Sequence, residues 1–336
     1  MSVIPESPPE PLPVLTALNL PWPVDWVDIF GVDRPLILDI GFGYGHSLTY
    51  LQRTRPDHNI IGIEVDNISL GKAERALVRN GWTNVRVIEA FAETALQHLF
   101  VPDSLDEIHI NFPDPWFKSR HAGRRLMKRS TVDAMVSRLR NRGRLFLATD
   151  ILEYADMSHQ LLHDTPGLTN TLPTPWVTTR PEPFTTKYEK RAQQEGRTCR
   201  YFVYQRNDQP APQVPVIQEL KMPHIVFQST LDLDTMMTHA RTDEDHTTAA
   251  TVKFLERYRG DRSVLFDVFV REPTLDQRIA VVLVEREDHP NEYTLKLSAL
   301  GHPRPTAGIH QAVRIIGDAL LALDPEANLI HDKVRR

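Results

Sequence analysis

Between residues 35 and 206 strand and helix signals take turns, and that alternation restricts the fold more than any other feature of the chain. PLILDI (35–40) is a short apolar run of the kind that forms a buried strand. A glycine turn follows, then a helical stretch over 46–55. NIIGIEV (59–65) is a second strand, and NISLGKAERALVRNG (67–81) is a helix with Asn67 as its N-cap and Gly81 as its stop. VRVIE (85–89) and LDEIHINF (105–112) are further strands. A helix over 127–141, the strand RLFLATD (144–150), a helix over 151–163 and the late strand TCRYFVYQR (198–206) complete the series. Such alternation predicts an α/β fold, a parallel sheet with helices on both faces.

The flanks differ. Residues 1–24 hold seven prolines, so 1–29 reads as an extended arm, with Trp22 and Trp26 packing it to the body. NDQPAPQVPV (207–216) is a polar, proline-rich linker separating a 30–206 domain from a 217–336 domain. In that second domain the signals are a strand at 224–230, an acidic helix near 232–257, three strands, a helix at 308–323 and a last strand. This βαβββαβ order predicts a smaller α/β domain of ferredoxin-like type.

Composition narrows the function. The 336 residues carry a net charge of −5, which speaks against a generic polyanion binder. One cysteine, Cys199, leaves no internal disulfide and no multi-cysteine metal site, so no metal is expected. No apolar run reaches about 18 residues, so no membrane span is expected. The N-terminus has neither the basic start nor the apolar core of a signal peptide. A cytoplasmic protein is the resulting expectation.

The turn itself reads Asp39-Ile40-Gly41-Phe42-Gly43-Tyr44-Gly45. Glycines let a ligand approach the backbone, and the amides of the following helix face whatever binds there. The GxGxG spacing lacks the pyrophosphate form of the motif and suits an adenosine with an amino-acid tail. Glu64, closing the second strand, is placed to accept from ribose hydroxyls. Together these favour S-adenosylmethionine as cofactor; a structural glycine turn in another nucleotide fold is the alternative. Asp39 can pair with the ligand's ammonium, or serve only as a turn or cap residue.

The loop NFPDPWFKSRH (111–121) holds Asp114 between two prolines at a strand end, beside Lys118, Arg120 and His121. From 118 to 144 there are ten Lys or Arg, Arg124 and Arg125 among them, and one acid, Asp133. A strip so uniform in sign predicts a nucleic-acid backbone as partner. Asp39, Glu64, Asp114 and Asp150 all fall at carboxyl ends of strands and are expected to converge on one crevice. In TTKYEKR (185–191), Thr186, Lys187 and Glu189 are expected on an extended segment, either facing the site or forming a plain polar loop.

DIGFGYG (39–45), GIEV (62–65), NFPDPWFKSRHAGRRL (111–126), LATD (147–150) and TKYE (186–189) together resemble the bacterial tRNA (guanine-N7-)-methyltransferase family, over residues 30–206. The resemblance implies a Rossmann-like class I methyltransferase sheet and transfer of a methyl group to the guanine at position 46 of the tRNA variable loop. It implies that Asp39, Gly41, Gly43, Gly45 and Glu64 hold S-adenosylmethionine and that Asp114 is the active-site aspartate, close to cofactor and base. Lys118 and the segment 120–125 (Arg120, His121, Arg124, Arg125) would touch RNA. Asp150, Thr186, Lys187, Tyr188 and Glu189 would bind the target guanine region. Two positions depart from the family: Asp39 stands in place of a glutamate, and Phe91 in place of an aspartate at the adenine end. Phe91 can stack on adenine, with Glu89 or Glu93 as substitutes for the lost acceptor. Competing readings are a methyltransferase of DNA, protein or small molecules, and an RNA-binding protein without catalysis. For 217–336, with net charge −4, three roles stay open: homodimerisation, docking on the first domain, or a few specific tRNA contacts.

Overall fold

A computed structural model of the chain describes residues 15–116, 123–180, 184–240, 242, 244–247 and 250–335. The chain divides into two compact units, Met1–Ile217 and Gln218–Arg336.

The first unit is built on β1 (Leu15–Thr16), α1 (Trp26–Phe30), β2 (Leu36–Ile40), α2 (His46–Thr54), β3 (Asn59–Glu64), α3 (Asn67–Asn80), β4 (Val85–Glu89), α4 (Ala92–Thr94), β5 (Leu105–Asn111), α5 (Arg129–Arg138), β6 (Leu139–Thr149), α6 (Leu152–His163), β7 (Leu168–Asn170), α7 (Lys187–Gln194) and β8 (Arg200–Arg206). Its sheet has the order β1-β4-β3-β2-β5-β6-β8-β7. The pairs from β1 to β6 are parallel, whereas β8 runs antiparallel to both β6 and β7. This is the class I methyltransferase arrangement, with β1 added at one edge. All of β2 and the first five residues of β3 are buried, as in strands covered on both faces. On one face Leu48 and Leu51 of α2 and Leu70, Ala73 and Leu77 of α3 pack against Ile37, Ile60, Val85 and Val87. Each buried Leu, Ile or Val side chain here contributes roughly 1.5–3 kcal/mol. The chain reverses the direction of strand addition between β2 and β5, and the carboxyl ends there are where open α/β sheets bind their ligands.

Boundaries shift in places from those the sequence suggests. Asp66, not Asn67, caps α3, accepting from the Ser69 amide at 2.8 Å. The proline-rich connection at 166–183 contains a short strand, β7. Trp22 packs against His98 at a tilt with ring centroids 3.9 Å apart, and Trp26 stacks on Phe100 at 5.0 Å. Past β8, the Ile217 amide bonds the Gln97 carbonyl at 2.8 Å.

The second unit comprises β9 (His224–Gln228), α8 (Leu233–His239), β10 (Asp245–His246), β11 (Thr251–Gly260), β12 (Ser263–Glu272), β13 (Leu275–Glu285), β14 (Glu292–Leu297), α9 (Ala307–Leu321) and β15 (Asn328–Asp332). Its antiparallel sheet has the order β10-β11-β12-β13-β14-β9-β15. The helix expected over 232–257 is a correction: α8 stops at His239, and 251–260 is strand β11. In TVKFLERYRG the β-branched and aromatic residues pair along β12, and cross-strand packing overrides the helix preference of Leu, Glu and Arg. The connection β14–α9–β15 passes over β9 as in a ferredoxin-like fold, but α8 leads from β9 to β10 at the opposite edge of seven strands, so the four-stranded ferredoxin-like order is not reproduced. Residues of α8 and α9 share one core with the strands, including Leu233, Met236, Ile309, Val313 and Ile316.

Candidate active site

The turn after β2 is set by its glycines. Gly41, Gly43 and Gly45 have φ of 68°, 54° and 76°, a region that other residues enter at a cost. Around Gly41 and Gly45 there is open space where a side chain would begin. Across β3, a Cβ on Gly62 would come within 2.8 Å of the Phe42 ring, so glycine there lets the turn seat against the sheet.

Asp39 is completely buried. The Ser47 hydroxyl, from the first turn of α2, donates to its Oδ2, while its Oδ1 is buried without a hydrogen-bond partner. Burial pushes its pKa up to about 6, against the opposing pull of Ser47 and His109. Its register partner on β5 is His109. That ring lies 2.9 Å from Glu107 and stacks on Phe146. Burial would raise the Glu107 carboxyl, but His109, Arg55 and Arg144 outweigh it and bring the pKa down to about 2.

Glu64 ends β3 with its carboxylate turned onto backbone amides: Gly43 at 2.9 Å, Val65 at 2.8 Å and Asp66 at 3.2 Å. Phe91 caps α4 just beyond β4 and is 65% exposed.

Beyond β5 the chain takes two left-handed steps at non-glycine residues, Phe112 (φ 53°) and Trp116 (φ 43°), on either side of Pro113-Asp114-Pro115. Such conformations cost of order 1–3 kcal/mol each. Asp114 projects exposed from this strained arch. The Arg125 guanidinium donates to the Trp116 carbonyl at 3.2 Å, and Arg124 lies over the Trp116 ring at 5.0 Å. Lys118, Arg120 and His121 lie outside the described residues.

TTKYEKR is not extended, a second correction. Thr186 caps α7, and Thr186 with Glu189 forms a capping box: the Thr186 hydroxyl accepts from the Glu189 amide, and the Glu189 carboxylate accepts from the Thr186 amide. The spacing Thr-x-x-Glu carries that signal in the sequence. Glu189 is buried, and also accepts from the Tyr201 hydroxyl at 2.7 Å and from Arg180 Nε at 3.0 Å. It is therefore a strut rather than an open reader of a base. On the same helix Tyr188 reaches over Gly43, with Cε2 3.7 Å from where a Cβ would stand, and Lys187 donates to the Tyr44 hydroxyl at 3.2 Å. Asp150, just past β6, is ion-paired with Arg197.

The four acids thus lie along one edge of the sheet, at or past the carboxyl ends of the adjacent strands β3, β2, β5 and β6. The uniform basic strip does not survive. Arg138 is fully buried and donates to the carbonyls of Leu96, Val214 and Pro215. Arg140 pairs with Asp106, Arg144 with Glu107, Lys128 with Glu93 and Arg129 with Asp133. Positions 138–144 also stand at the amino end of β6, remote from the crevice edge. Of the strip's described members, Arg124 and Arg125 remain beside Asp114.

Arg180 is the residue that sequence reasoning missed. It bridges Glu189 and Asn111 Oδ1 (3.1 Å), and its guanidinium lies over the rings of Phe184 and Tyr201. No local pattern marks it. Among the described residues no group of acids, histidines and cysteine could hold a metal ion, and no helix is long and apolar enough to cross a membrane.

A family model described as "Putative methyltransferase" matches residues 33–201. The chain is 33% identical to a tRNA (guanine-N(7)-)-methyltransferase of Thermus thermophilus over 308 residues, covering 90% of this chain and 94% of the relative. It belongs to the tRNA (guanine-N7-)-methyltransferase family. A family member from Paraburkholderia xenovorans is 39% identical over 147 residues, which is 44% of this chain and 56% of that relative. The Thermus match thus reaches into the second unit, whereas the Paraburkholderia match spans just over half of that relative's length. Among solved structures, TrmN from Thermus thermophilus aligns with 54% of this methyltransferase and 46% of its own chain, at 21% identity and a TM-score of 0.37. The aminoglycoside resistance methyltransferase NpmB1 aligns with 54% and 92%, at 17% identity and the same TM-score.

Proposed function

We propose that this protein transfers the methyl group of S-adenosylmethionine to N7 of guanine in tRNA. Membership of the family, with a relative of that name matched across nine-tenths of the chain, carries the reading. Position 46 of the variable loop is the proposed acceptor, and the cytoplasm the proposed location. For 217–336, homodimerisation is one proposed role.

The residues present suit the cofactor. Asp39 Oδ1 is a buried acceptor with no partner, which an ammonium group would satisfy. The open glycine turn admits a ligand against the backbone, and Phe91 offers an exposed ring where an adenine would stack. Glu64 would turn from its amides to ribose hydroxyls. When bound, S-adenosylmethionine supplies an electrophilic methyl group on a sulfonium.

Guanine N7 carries a lone pair and no proton, so no base is needed to create the nucleophile. The protein's task is alignment, which can supply several kcal/mol of the barrier. Asp114 would accept hydrogen bonds from guanine N1–H and its amino group, and would stabilise the positive charge that develops on the purine. The strained arch from Phe112 to Trp116 fixes where Asp114 stands. Arg124 and Arg125 would meet phosphate beside it, and Tyr188 and Lys187 would border the base over the glycine turn. Asp150 would be reached only after Arg197 yields. Thr186 and Glu189 would act by holding α7 in place.

Incubation with tRNA and labelled S-adenosylmethionine, followed by mapping of the label, tests the reading. Label at guanine N7 is expected; label confined to DNA, protein or another base atom would overturn it.

A further inference from the structure

Arg138, Arg140 and Arg144 are engaged by carbonyls or carboxylates, so positive charge outside the strip would have to add to Arg124 and Arg125 in receiving a polyanion. A groove between α2 and α3 has the required character. Tyr44 stands at one end and Trp82 at the other, and four Lys or Arg but no Asp or Glu are among its lining residues. Lys72, Arg75 and Arg79 follow one another at i, i+3 and i+7, so they share one face of α3. Arg53 faces them from α2. All four are exposed, and none is paired with a carboxylate of the described residues. The only acid on α3, Glu74, lines a neighbouring depression with Asp28; Arg75 and Arg79 border that depression too, but form no ion pair with either acid.

The groove is also continuous with the site. Tyr44 belongs to the glycine turn, and its ring is held between two ammonium groups, Lys72 at 3.9 Å and Lys187 at 4.3 Å from the ring centre. Lys187 directly follows Thr186, the cap of α7. From Lys72 to Arg79 the cations extend about 10 Å along the helix. That exceeds one phosphate of a nucleic-acid strand, whose charges repeat every ~3.4 Å of helix axis. Arginine forks match phosphate oxygens, and none of these four needs to break an ion pair to reach them.

We propose that this groove holds a stretch of the sugar-phosphate backbone of the tRNA substrate, leading it past Tyr44 to the crevice. The proposal rests on the tRNA reading given above. Its chemistry is recognition of phosphodiester oxygens by Arg53, Lys72, Arg75 and Arg79.

The test is the triple variant Arg53→Ala, Arg75→Ala, Arg79→Ala in the full chain, with Arg53→Lys, Arg75→Lys, Arg79→Lys beside it. tRNA affinity is measured against salt concentration, and cofactor affinity by calorimetry. The alanine variant should bind tRNA at least about tenfold more weakly, with the slope of log K against log salt shallower by about two. Its kcat at saturating tRNA should stay within about twofold, and its cofactor affinity should not change. The lysine variant should recover most of the affinity. Unchanged tRNA affinity and slope, in a wild-type protein that does methylate tRNA, would overturn this inference alone. A wild-type protein that neither binds nor methylates tRNA would overturn both readings. Inorganic phosphate is the second arm: if it binds the groove while tRNA affinity ignores the substitutions, the groove is a small-anion site and the proposal fails.

Discussion

Arg180 joins Glu189 to Asn111, with its Nε 3.0 Å from the carboxylate and its Nη2 3.1 Å from the amide oxygen. One guanidinium thereby fixes the start of α7 to the end of β5, and so fixes Tyr188 and Lys187 over the glycine turn. Both partners of the ion pair are buried. Arg180→Ala would leave Glu189 charged without its cation, and breaking such a pair costs about 3–5 kcal/mol. A lower urea midpoint is expected, together with a loss of methyl transfer. A midpoint equal to that of the wild type would show that the pair is not structural.

Asp114→Asn keeps the shape of the arch and removes the charge. Methyl transfer should fall by about a hundredfold or more, in the range seen when one electrostatic group of an active site is deleted. Cofactor affinity should stay close to that of the wild type in calorimetry. Retained turnover would remove Asp114 from the mechanism.

Asp39 gives a pH dependence. Its folded pKa of about 6 lies above the ordinary 3.8, so the native state binds the proton more tightly than the unfolded state does. Its contribution to stability is full below the unfolded value and is lost as pH rises through about 6. A shift of this size corresponds to about 3 kcal/mol at one pKa unit per 1.36 kcal/mol. Ligand-free wild type should lose more stability between pH 4.5 and 7.5 than Asp39→Asn does, by about 2 kcal/mol in chemical denaturation, the remainder being lost below pH 4.5. Binding an ammonium at this carboxylate requires the ionised form, so cofactor affinity should increase across the same interval. Parallel stability profiles for the two proteins would contradict the assignment.

Phe91→Ala separates packing from binding. The side chain is largely exposed, so stability should change by no more than about 0.5 kcal/mol. Loss of ring stacking, worth about 0.5–1.5 kcal/mol, should weaken cofactor binding roughly 2- to 12-fold. Equal affinity in calorimetry would place the adenine elsewhere.

The sheet was legible because its signals are local: apolar runs of five or six residues, glycine stops, and an acid after each strand. The same locality explains the failures. Charge counted along 118–144 says nothing of Asp106 and Glu107, which arrive from the neighbouring strand and neutralise Arg140 and Arg144. Arg138 is drawn into the interior by three backbone carbonyls from two distant segments. Arg180 sits in a proline-rich connection whose sequence gives no period at all. Strand β11 hides behind residues that favour helices in isolation. Two signals were local and legible: the capping box at Thr186 and the Asp66 cap of α3.

The antiparallel strand β8 has a consequence for motion. It pairs with β7 at one end of the 171–199 segment and with β6 at the other, so this segment is stapled to the sheet at both of its roots. The Val177–Tyr201 bridge tightens the first root further. The amides of Thr171, Val177 and Tyr201, hydrogen-bonded across these roots, should therefore exchange with solvent more slowly than the unbonded amides of the connection between them.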